Sequence, residues 1–423
     1  MKDIINTYVI KTIKRIFRQL GLLLKWLVFA ILAGIVIGLV ATFFSYCIQQ
    51  ATSLRAEHGW IVFLLPLGGL FIVFSYKLLK DERDKGTNLV LSAIQTQESI
   101  PLKMAPLIFV STVVTHLFGG SSGREGAALQ LGGSIGHFLG KLFRFDEKDK
   151  NIMVMCGMSA AFSALFGTPL AAAVFSMEVV SVGIMYYAAL VPCAVSALTA
   201  HSLANLFGIH GESYTILSIP AFSPENAVKI GLLAVFCAGI SIVFCIYLHQ
   251  SEAVYQKLFP NQYLRILVGG GILILLTVLV GSQDYNGSGM EVIERAIHGE
   301  TLPFAFLLKM IFTAVTLGAG YKGGEIVPTF FIGGTFGCLF GSIAGLSPSL
   351  CAAVGMGAVF CGVTNSPITS ILICFELFGT GALPYYLIAI AISYMLSGYF
   401  GLYHSQKIIY SKYKTEYINR KTN

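Results

Sequence analysis

The chain has 423 residues, of which 55% are hydrophobic and only 12% are charged, and its mean hydropathy is +0.76. A soluble domain carries about a quarter charged residues, so this composition excludes an ordinary soluble protein and indicates that most of the chain lies in lipid. The net charge of +7 does not indicate nucleic-acid binding, because the basic residues flank apolar segments.

Basic residues crowd both ends of the chain, within residues 1–25 and 406–423. The positive-inside rule therefore predicts two cytoplasmic termini on a multi-pass protein of the cell inner (plasma) membrane. We expect residues 1–25 to form a basic cytoplasmic helix. The first long apolar stretch, from Trp26 to Phe44, is long enough to span the bilayer, so it is not a cleaved secretory signal.

The linkers between apolar stretches differ in charge. Segments 208–224 and 282–294 contain no Lys or Arg, which predicts an external position. Segments 77–85, 141–150 and 251–265 are basic or mixed, which predicts a cytoplasmic position.

An internal repeat is visible in the sequence. Residues 157–178 align without gaps with residues 355–376 at an offset of 198, and residues 132–136 align with 333–337 at an offset of 201. Chance similarity between Gly- and Ala-rich membrane segments is the alternative, but the same order of two motifs favours duplication. Transporters with duplicated halves and broken helices place their site at the midplane between the halves.

The repeat and the linkers divide the chain into predicted domains. After the N-terminal helix we expect a first membrane repeat over 26–207, an external linker over 208–225, a second membrane repeat over 226–405 and a cytoplasmic tail over 406–423. The sequence alone does not show whether the two halves are inverted.

The segment 119–134 is the strongest candidate for chemistry. A glycine loop turns sharply into an apolar helix that starts near Arg124, and the free N–H groups of Gly123, Arg124 and Gly126 would make an anion site there. Glu125 stands at the same helix start, so its carboxylate would fill the site until protonation releases it. The alternative is a plain loop ion pair between Arg124 and Glu125.

A second glycine loop occupies residues 318–334. Pro328 suits the first turn of a helix, and the backbone amides of Ile326 and Val327 are expected to meet the same anion from the other half. Glu325 is either a second proton-handling carboxylate or a partner for Lys322, and the sequence leaves both open.

Two further residues carry hydroxyl groups at suitable places. Thr87 opens an apolar run and either donates to an anion or caps a helix. Tyr403 follows the last apolar stretch, where it is either a neutral donor at the anion site or a tyrosine of the membrane interface.

Other kinds of site find no support. The histidines show no metal-binding spacing, and no nucleotide-binding fingerprint is present. We therefore expect no metal, no cofactor, no nucleic-acid partner and no enzyme activity.

These motifs, in this order, resemble the CLC family of chloride channels and anion/proton antiporters over about residues 26–410. The family motifs are similar to residues 86–90, 123–127 and 323–328 and to Tyr403, with Glu125 at the position of the gating glutamate. The resemblance implies an all-α polytopic membrane protein, a homodimer of inverted repeats built from tilted and broken helices.

Departures from the common family pattern resemble its fluoride-exporting subgroup. Thr87 replaces the serine of the chloride site, Ala127 replaces a proline, and Val179 stands where chloride exchangers place an internal proton glutamate, directly after Glu178. Glu325 before the helix of the second loop is also similar to that subgroup. The subgroup usually has Met at the position of Thr87 and often Thr at that of Val327.

The resemblance implies a fluoride/proton antiporter that exports fluoride from the cytoplasm, with fluoride, protons, the lipid bilayer and a second copy of the chain as partners. The alternative is a chloride-selective CLC channel or a chloride/proton antiporter. A membrane-embedded enzyme would need a clustered nucleophile and base or a metal constellation, and the sequence shows neither.

Overall fold

The computed structural model describes residues 2–81, 85–96 and 98–423. Sixteen α-helices lie in this part of the chain, and six helical segments within it are long and apolar enough to cross a membrane. The helices are α1 Lys2–Glu57, α2 Leu65–Leu78, α3 Thr87–Thr96, α4 Met104–Leu117, α5 Glu125–Leu142, α6 Glu147–Phe166, α7 Pro169–Glu178, α8 Leu190–Leu206, α9 Pro224–Leu258, α10 Gln262–Val280, α11 Met290–Ile297, α12 Ala305–Gly318, α13 Ile326–Ala344, α14 Pro348–Thr364, α15 Pro367–Phe378 and α16 Leu383–Leu396.

Many of these helices are too short to cross a bilayer alone, since a straight span needs about 20 residues. The pairs α6–α7 and α14–α15 are separated by two residues each, and Pro169 and Pro367 open the second helix of each pair. Proline is tolerated at the first helical position but cannot continue a preceding helix. The sequence therefore breaks both apolar stretches at the same point of the repeat.

The packing repeats as the sequence does. In the first half, α1 packs on α4, α6 and α8, and α5 packs on α6. In the second half, α9 packs on α12, α14 and α16, and α13 packs on α14. The structural repeat thus pairs α1–α8 with α9–α16.

Glycines allow the closest of these approaches. A Cβ added to Gly132 would clash with the carbonyl oxygen of Gly157, and one added to Gly333 would clash with that of Gly355. Because α5 meets α6 as closely as α13 meets α14, these equivalent glycines have the same packing role in both halves.

The two halves are inverted. They meet through equivalent elements, α2 with α10, α5 with α13 and α7 with α15, which is the pattern of an approximate two-fold axis. The carboxylate of Glu178, at the end of α7, accepts hydrogen bonds from the N–H groups of Ile368 and Thr369 at the start of α15 (3.0 and 2.8 Å). Glu376, near the end of α15, accepts from the N–H groups at the start of α7. Equivalent helices therefore run in opposite directions.

The linkers lie at two different ends of the molecule. Lys77 lies over the ring of Tyr263 (5.5 Å), which joins segments 77–85 and 251–265, although residues 82–84 lie outside the described residues. The 35-residue α9 extends about 50 Å from that end to residues 208–223. The linkers expected on opposite faces are thus far apart along the helix axes.

The tail forms a small sheet that the all-α expectation did not include. Strand β1 (Ser181–Val182) pairs in parallel with β2 (Lys407–Tyr410), which pairs antiparallel with β3 (Tyr417–Lys421). Gln406 donates from Nε2 to the carbonyls of Val179 and Thr364 (2.8 Å each), so the tail is fastened to both repeats.

Helix α1 passes through residue 25 without interruption, and α8 and α9 end and begin on either side of residues 207–223. The domain limits at 25, 208–225 and 405, and the cytoplasmic position of the tail, stay predictions.

Candidate anion site

The starts of α5 and α13 meet at a short antiparallel bridge. The N–H of Gly123 donates to the carbonyl of Gly324 (2.6 Å), and the N–H of Gly324 donates to the carbonyl of Gly123 (2.7 Å). Only glycine fits there, because a Cβ on Gly324 would lie 2.5 Å from the nitrogen of Gly126. The bridge uses the N–H of Gly123, so the predicted contact of this amide with an anion gives way to a structural role.

Glu125 is the first residue of α5 and is fully buried. Its Oε2 accepts from the N–H of Arg124 (3.1 Å), and its Oε1 lies 3.4 Å from Nε of the same arginine. The carboxylate thus folds back onto the start of its own helix, where the unpaired N–H groups and the helix dipole favour an anion. The carboxylate of Glu125 therefore occupies the place where the sequence predicts that a transported anion binds.

Arg124 is tied to several elements besides Glu125. Its guanidinium lies 3.3 Å from Oγ of Ser45 and 3.4 Å from the carbonyl of Leu165, and it forms an ion pair with Glu212 of the linker (3.6 Å). Arg124 therefore holds α1, α6 and the linker at the start of α5, and it is more than the plain loop partner of one carboxylate.

Glu325 immediately precedes α13 and is partly buried. Its Oε2 lies 3.0 Å from the point where a Cβ on Gly126 would stand, so the carboxylate of the second repeat lies against the helix start of the first. Within the described part of the chain, this oxygen has no hydrogen-bond partner. Lys322, the other partner that the sequence suggests, lies with its Nζ over the ring of Tyr76 (4.6 Å).

Ile326 and Val327 open α13 beside the bridge and are fully buried. The Cβ of Val327 stands 3.1 Å from the position of a Cβ on Gly123, so the two helix starts are in direct contact. The first N–H groups of a helix have no partner inside it, and those of α13 converge with those of α5.

Thr87 joins this cluster through α5. Its hydroxyl accepts from Nε2 of Gln130 (3.2 Å) and lies 3.4 Å from the carbonyl of Gly126. Thr87 is the first residue of α3, so it both begins a helix and makes polar contacts with α5.

Gln130 is a site residue that the sequence reasoning missed. It is buried, and its Oε1 has no hydrogen-bond partner among the described residues. The signal was present, because Gln130 interrupts the apolar run of α5 five residues after Glu125.

Tyr403 lies under the tail sheet and is almost fully buried. Its carbonyl accepts from the hydroxyl of Thr422 (2.7 Å) and from the N–H of Gln406 (2.9 Å), which fixes the backbone. The phenol hydroxyl has no partner in the part of the chain that the structure describes. Its burial excludes the interpretation as a tyrosine of the membrane interface.

A cavity of about 880 Å³ leads to these groups from the end of the molecule that carries the tail. Thr87, Gln130, Glu325 and Tyr403 line it, whereas Glu125 and Arg124 lie outside its lining. Its mouth carries the basic residues Lys85, Arg265, Lys322 and Lys421, the acidic Glu252, and the stacked rings of His249 and His404. The bridge thus lies between the carboxylate of Glu325, which lines the cavity, and that of Glu125, which lies outside the cavity lining beside Arg124.

The structure places every residue that the sequence proposed for the site either at the bridge or in the lining of the cavity beside it, and their roles in transport stay predictions. Seven of them gather at the bridge, Thr87 contacts α5, and Tyr403 shares the cavity with Glu325. The added residues are Gln130, found in the cavity, and Glu212, found on the linker.

An inverted-repeat membrane protein with broken helices whose starts converge on buried carboxylates at the middle has the architecture of a transport protein. Residues 68–398 match the model of the voltage gated chloride channel family. The chain belongs to this family, the CLC family.

Curated relatives support this assignment over almost the whole chain. A "chloride/fluoride channel protein" of Pseudomonas syringae pv. tomato is 35% identical over 401 residues, which is 92% of this chain and 88% of that protein. An "H(+)/Cl(-) exchange transporter ClcA" of Vibrio vulnificus is 26% identical over 386 residues, with 82% and 81% of the two chains covered.

Solved structures agree. A crystal structure of a CLC-type fluoride/proton antiporter superimposes with a TM-score of 0.88 at 32% identity, covering 91% of this chain and 98% of that one. A slow cyanobacterial Cl⁻/H⁺ antiporter, at 19% identity and a TM-score of 0.75, covers 88% and 94% and shows the shared fold. The chain is accordingly a membrane transport protein of the CLC type.

Proposed function

We propose that this protein is a CLC-type fluoride/proton antiporter that exports fluoride from the cytoplasm. One observation carries the proposal: the carboxylates of Glu125, which is buried, and of Glu325, which is partly buried, flank the Gly123–Gly324 bridge, where two helix starts offer their N–H groups. A single bridge thus separates an anion site that Glu125 occupies from a cavity that Glu325 faces.

Glu125 acts as the gate in this mechanism. Its ionised carboxylate competes with a transported anion for the start of α5, because both are held by the same N–H groups and the same dipole. When a proton neutralises Glu125, the carboxyl loses this attraction and leaves, and the anion takes its place. One residue thereby couples the movement of a proton to that of an anion.

Glu325 passes the proton on the cavity side. Its unpartnered Oε2 points to the region where the two helix starts meet, and the same residue lines the cavity. Chloride exchangers of the family use a glutamate at the position of Val179 for the inner proton route, and here the carbonyl of Val179 instead accepts from Gln406 of the tail. We therefore route the inner proton through Glu325.

The site suits a small, strongly hydrated anion. Fluoride needs close donors to offset its dehydration. Three kinds of neutral group supply these donors: the amides of the helix starts, the hydroxyl of Tyr403 and the side-chain amide of Gln130, which donates to Thr87. No lysine is needed at the centre of the site. Backbone donors bind without a full positive charge, so the anion can also leave.

The direction of transport follows from the chemistry of the substrate. Hydrogen fluoride is a weak acid that crosses membranes and ionises inside a near-neutral cell, so fluoride is trapped there. An exchanger that admits a proton for each fluoride it expels uses the proton gradient to clear the anion. We place the cavity, the tail and both termini in the cytoplasm, in agreement with the basic residues at the cavity mouth.

We also propose that the protein works as a homodimer in the inner membrane, as the family resemblance implies, with one pore in each subunit. Chloride transport is the second candidate, because Thr87 keeps a hydroxyl where the chloride site of the family has serine. Among the relatives, the protein of Vibrio vulnificus carries the name of an H⁺/Cl⁻ exchanger.

The deciding experiment measures anion efflux from proteoliposomes that contain the purified protein, with fluoride or chloride inside and pH recorded outside. We expect fast fluoride efflux with proton uptake and little chloride flux. Chloride flux equal to or faster than fluoride flux would show that the site is an ordinary chloride site.

The gate is tested in the same vesicles with Glu125→Gln, which mimics the protonated carboxyl. We expect the coupled proton flux to fall at least about 100-fold, the range over which a positioned proton-transfer group acts. Glu300→Gln, an exposed glutamate remote from the site, is the matched control. A Glu125→Gln protein that still moved protons against fluoride at the native ratio would refute the gate.

A further inference from the structure

The linker between the repeats is fastened across the molecule. The N–H of Tyr214 donates to the carbonyl of Leu377 (2.9 Å), and the ring of Tyr214 stacks on Phe378 at 5.8 Å between centroids. Further along, the N–H of Leu217 donates to Oγ of Ser349 (3.0 Å). These contacts hold a segment without regular secondary structure against α14 and α15 of the second repeat.

The fastened linker places Glu212 against the gate. Its Oε1 lies 3.6 Å from a terminal nitrogen of Arg124, and its Oε2 accepts from the hydroxyl of Tyr214 (3.4 Å). Burial raises the pKa of Tyr214, so its phenol stays protonated and remains a donor to the carboxylate. The side chain of Glu212 is 32% exposed, whereas that of Arg124 is 12% exposed.

Arg124 therefore stands between two carboxylates. Its Nε lies 3.4 Å from Glu125, and its terminal nitrogen lies 3.6 Å from Glu212. Glu125 has to leave this arrangement during transport, but Glu212 is fixed by the linker. When Glu125 is protonated, Glu212 is the carboxylate that remains on the arginine.

We propose that Glu212 is a positioning residue of the transport cycle, which holds Arg124 and sets the pH at which Glu125 accepts a proton from the linker side. This inference rests on the proposed role of Glu125 as the gate. It adds a carboxylate from the linker between the repeats to a site whose proposed anion donors are mainly helix starts.

The negative charge of Glu212 disfavours the ionised form of Glu125, because like charges that lie close to the same arginine repel each other. Removal of the charge of Glu212 leaves Arg124 to act on Glu125 only, so the ionised form of Glu125 becomes more stable. A more acidic solution is then needed to protonate the gate.

Other charged and titratable groups face this place and must be kept constant. Tyr214 and His210 lie on the linker itself, Arg124 comes from the start of α5, and Glu294 of α11 interacts electrostatically with Tyr214. Glu294 is unchanged in each variant, so its contribution cancels in the comparison with the native protein.

The test is the dependence of fluoride/proton exchange on the pH of the linker-side solution, in proteoliposomes with the native protein and with Glu212→Gln. We expect the pH of half-maximal turnover to fall by about 0.5–1 unit in Glu212→Gln, a shift typical of one partly exposed charge at this distance. At lower pH, turnover is expected to return to within about twofold of the native rate.

Two further variants control the measurement. Glu212→Asp keeps the charge and should restore most of the native profile, which a purely structural role of the side chain would not explain. Glu225→Gln removes an exposed charge from the start of α9, where it pairs with Lys229, and should leave the profile unchanged.

Each outcome decides between the two proposals. An unchanged pH profile in folded Glu212→Gln, or an equal shift in Glu225→Gln, overturns the role of Glu212. If Glu125→Gln has lost proton coupling in the same vesicles, the gate itself stands and only the role of Glu212 fails. If Glu125→Gln keeps its coupling, the proposed function fails first.

Discussion

Two pairs of glutamates, each with one buried and one partly buried member, have different roles in this molecule. Glu178 and Glu376 each lie at or near the end of one short helix and cap the start of its counterpart in the other repeat. Glu125 and Glu325 lie at the glycine bridge, where one carboxylate folds back onto its own helix start and the other has an oxygen without a partner. Each carboxylate of the first pair accepts from two backbone N–H groups of the other repeat, whereas Glu125 accepts from the N–H of its own neighbour Arg124 and one oxygen of Glu325 has no partner among the described residues.

The difference shows what makes a buried carboxylate structural or functional here. A carboxylate that accepts two or three hydrogen bonds from fixed donors gains by staying ionised and in place. A carboxylate that shares its donors with a mobile ion, or lacks them, can exchange its proton and its position. Burial alone does not separate the two classes, because Glu125 and Glu178 are both buried.

After Glu125→Gln, the largest effect on transport that this comparison predicts is for Glu325→Gln. The carboxamide cannot carry a proton, so we expect coupled fluoride turnover to fall about 10- to 100-fold, while thermal stability in detergent changes little. The measurement is fluoride efflux with simultaneous recording of pH, followed by a thermal unfolding curve of the same preparation.

The matched control is Glu376→Gln, the same chemical change at a carboxylate with two backbone donors. We expect the opposite result there, a lower midpoint of thermal unfolding with native coupling in the folded fraction. If Glu376→Gln lost coupling and Glu325→Gln did not, the assignment of the two pairs would have to be exchanged.

The next effect is on stability, for Glu178→Ala. This change leaves two N–H groups and one hydroxyl at the buried start of α15 without their acceptor, which we expect to cost about 3 kcal/mol in the free energy of unfolding. Chemical denaturation in detergent measures the loss. Glu376→Ala should cost less, because Glu376 accepts from two groups where Glu178 accepts from three. Equal and negligible losses would show that these caps do not hold the repeats together.

Much of the fold could be predicted because the internal repeat is visible in the sequence itself. The offset of 198 residues pairs Glu178 with Glu376 and Gly157 with Gly355, and these pairs have equivalent contacts in the structure. The inversion of the halves followed only from the family resemblance, because the direction of a helix leaves no mark on its composition. The tail sheet was missed because β1 has two residues and pairs with a strand more than two hundred residues later.

The candidate site divides in the same way. Glu125 and Glu325 can be identified from the sequence, because each lies where a glycine loop meets the start of an apolar helix. Glu212 has no such signal, since it lies in a linker and becomes part of the site only when that linker folds over Arg124. Gln130 is intermediate, because its polarity within α5 is visible but its contact with Thr87 depends on the packing of α3.

The smallest predicted effect tests whether the two caps differ only by one hydroxyl. Thr369 donates its hydroxyl to Glu178 at 2.6 Å, and its equivalent in the first repeat is Ala171, which offers Glu376 only its N–H. Thr369→Ala makes the cap of α15 like that of α7, and we expect it to lower the free energy of unfolding by about 1 kcal/mol, the contribution of one hydrogen bond. Thr369→Ser keeps the hydroxyl, so its free energy of unfolding should stay close to the native value.

Fluoride/proton coupling should be native in both variants, because a fixed carboxylate takes no part in proton transfer. If Thr369→Ala altered the coupling ratio while Thr369→Ser did not, Glu178 would belong to the proton route, and the division between structural and functional carboxylates would fail at this residue.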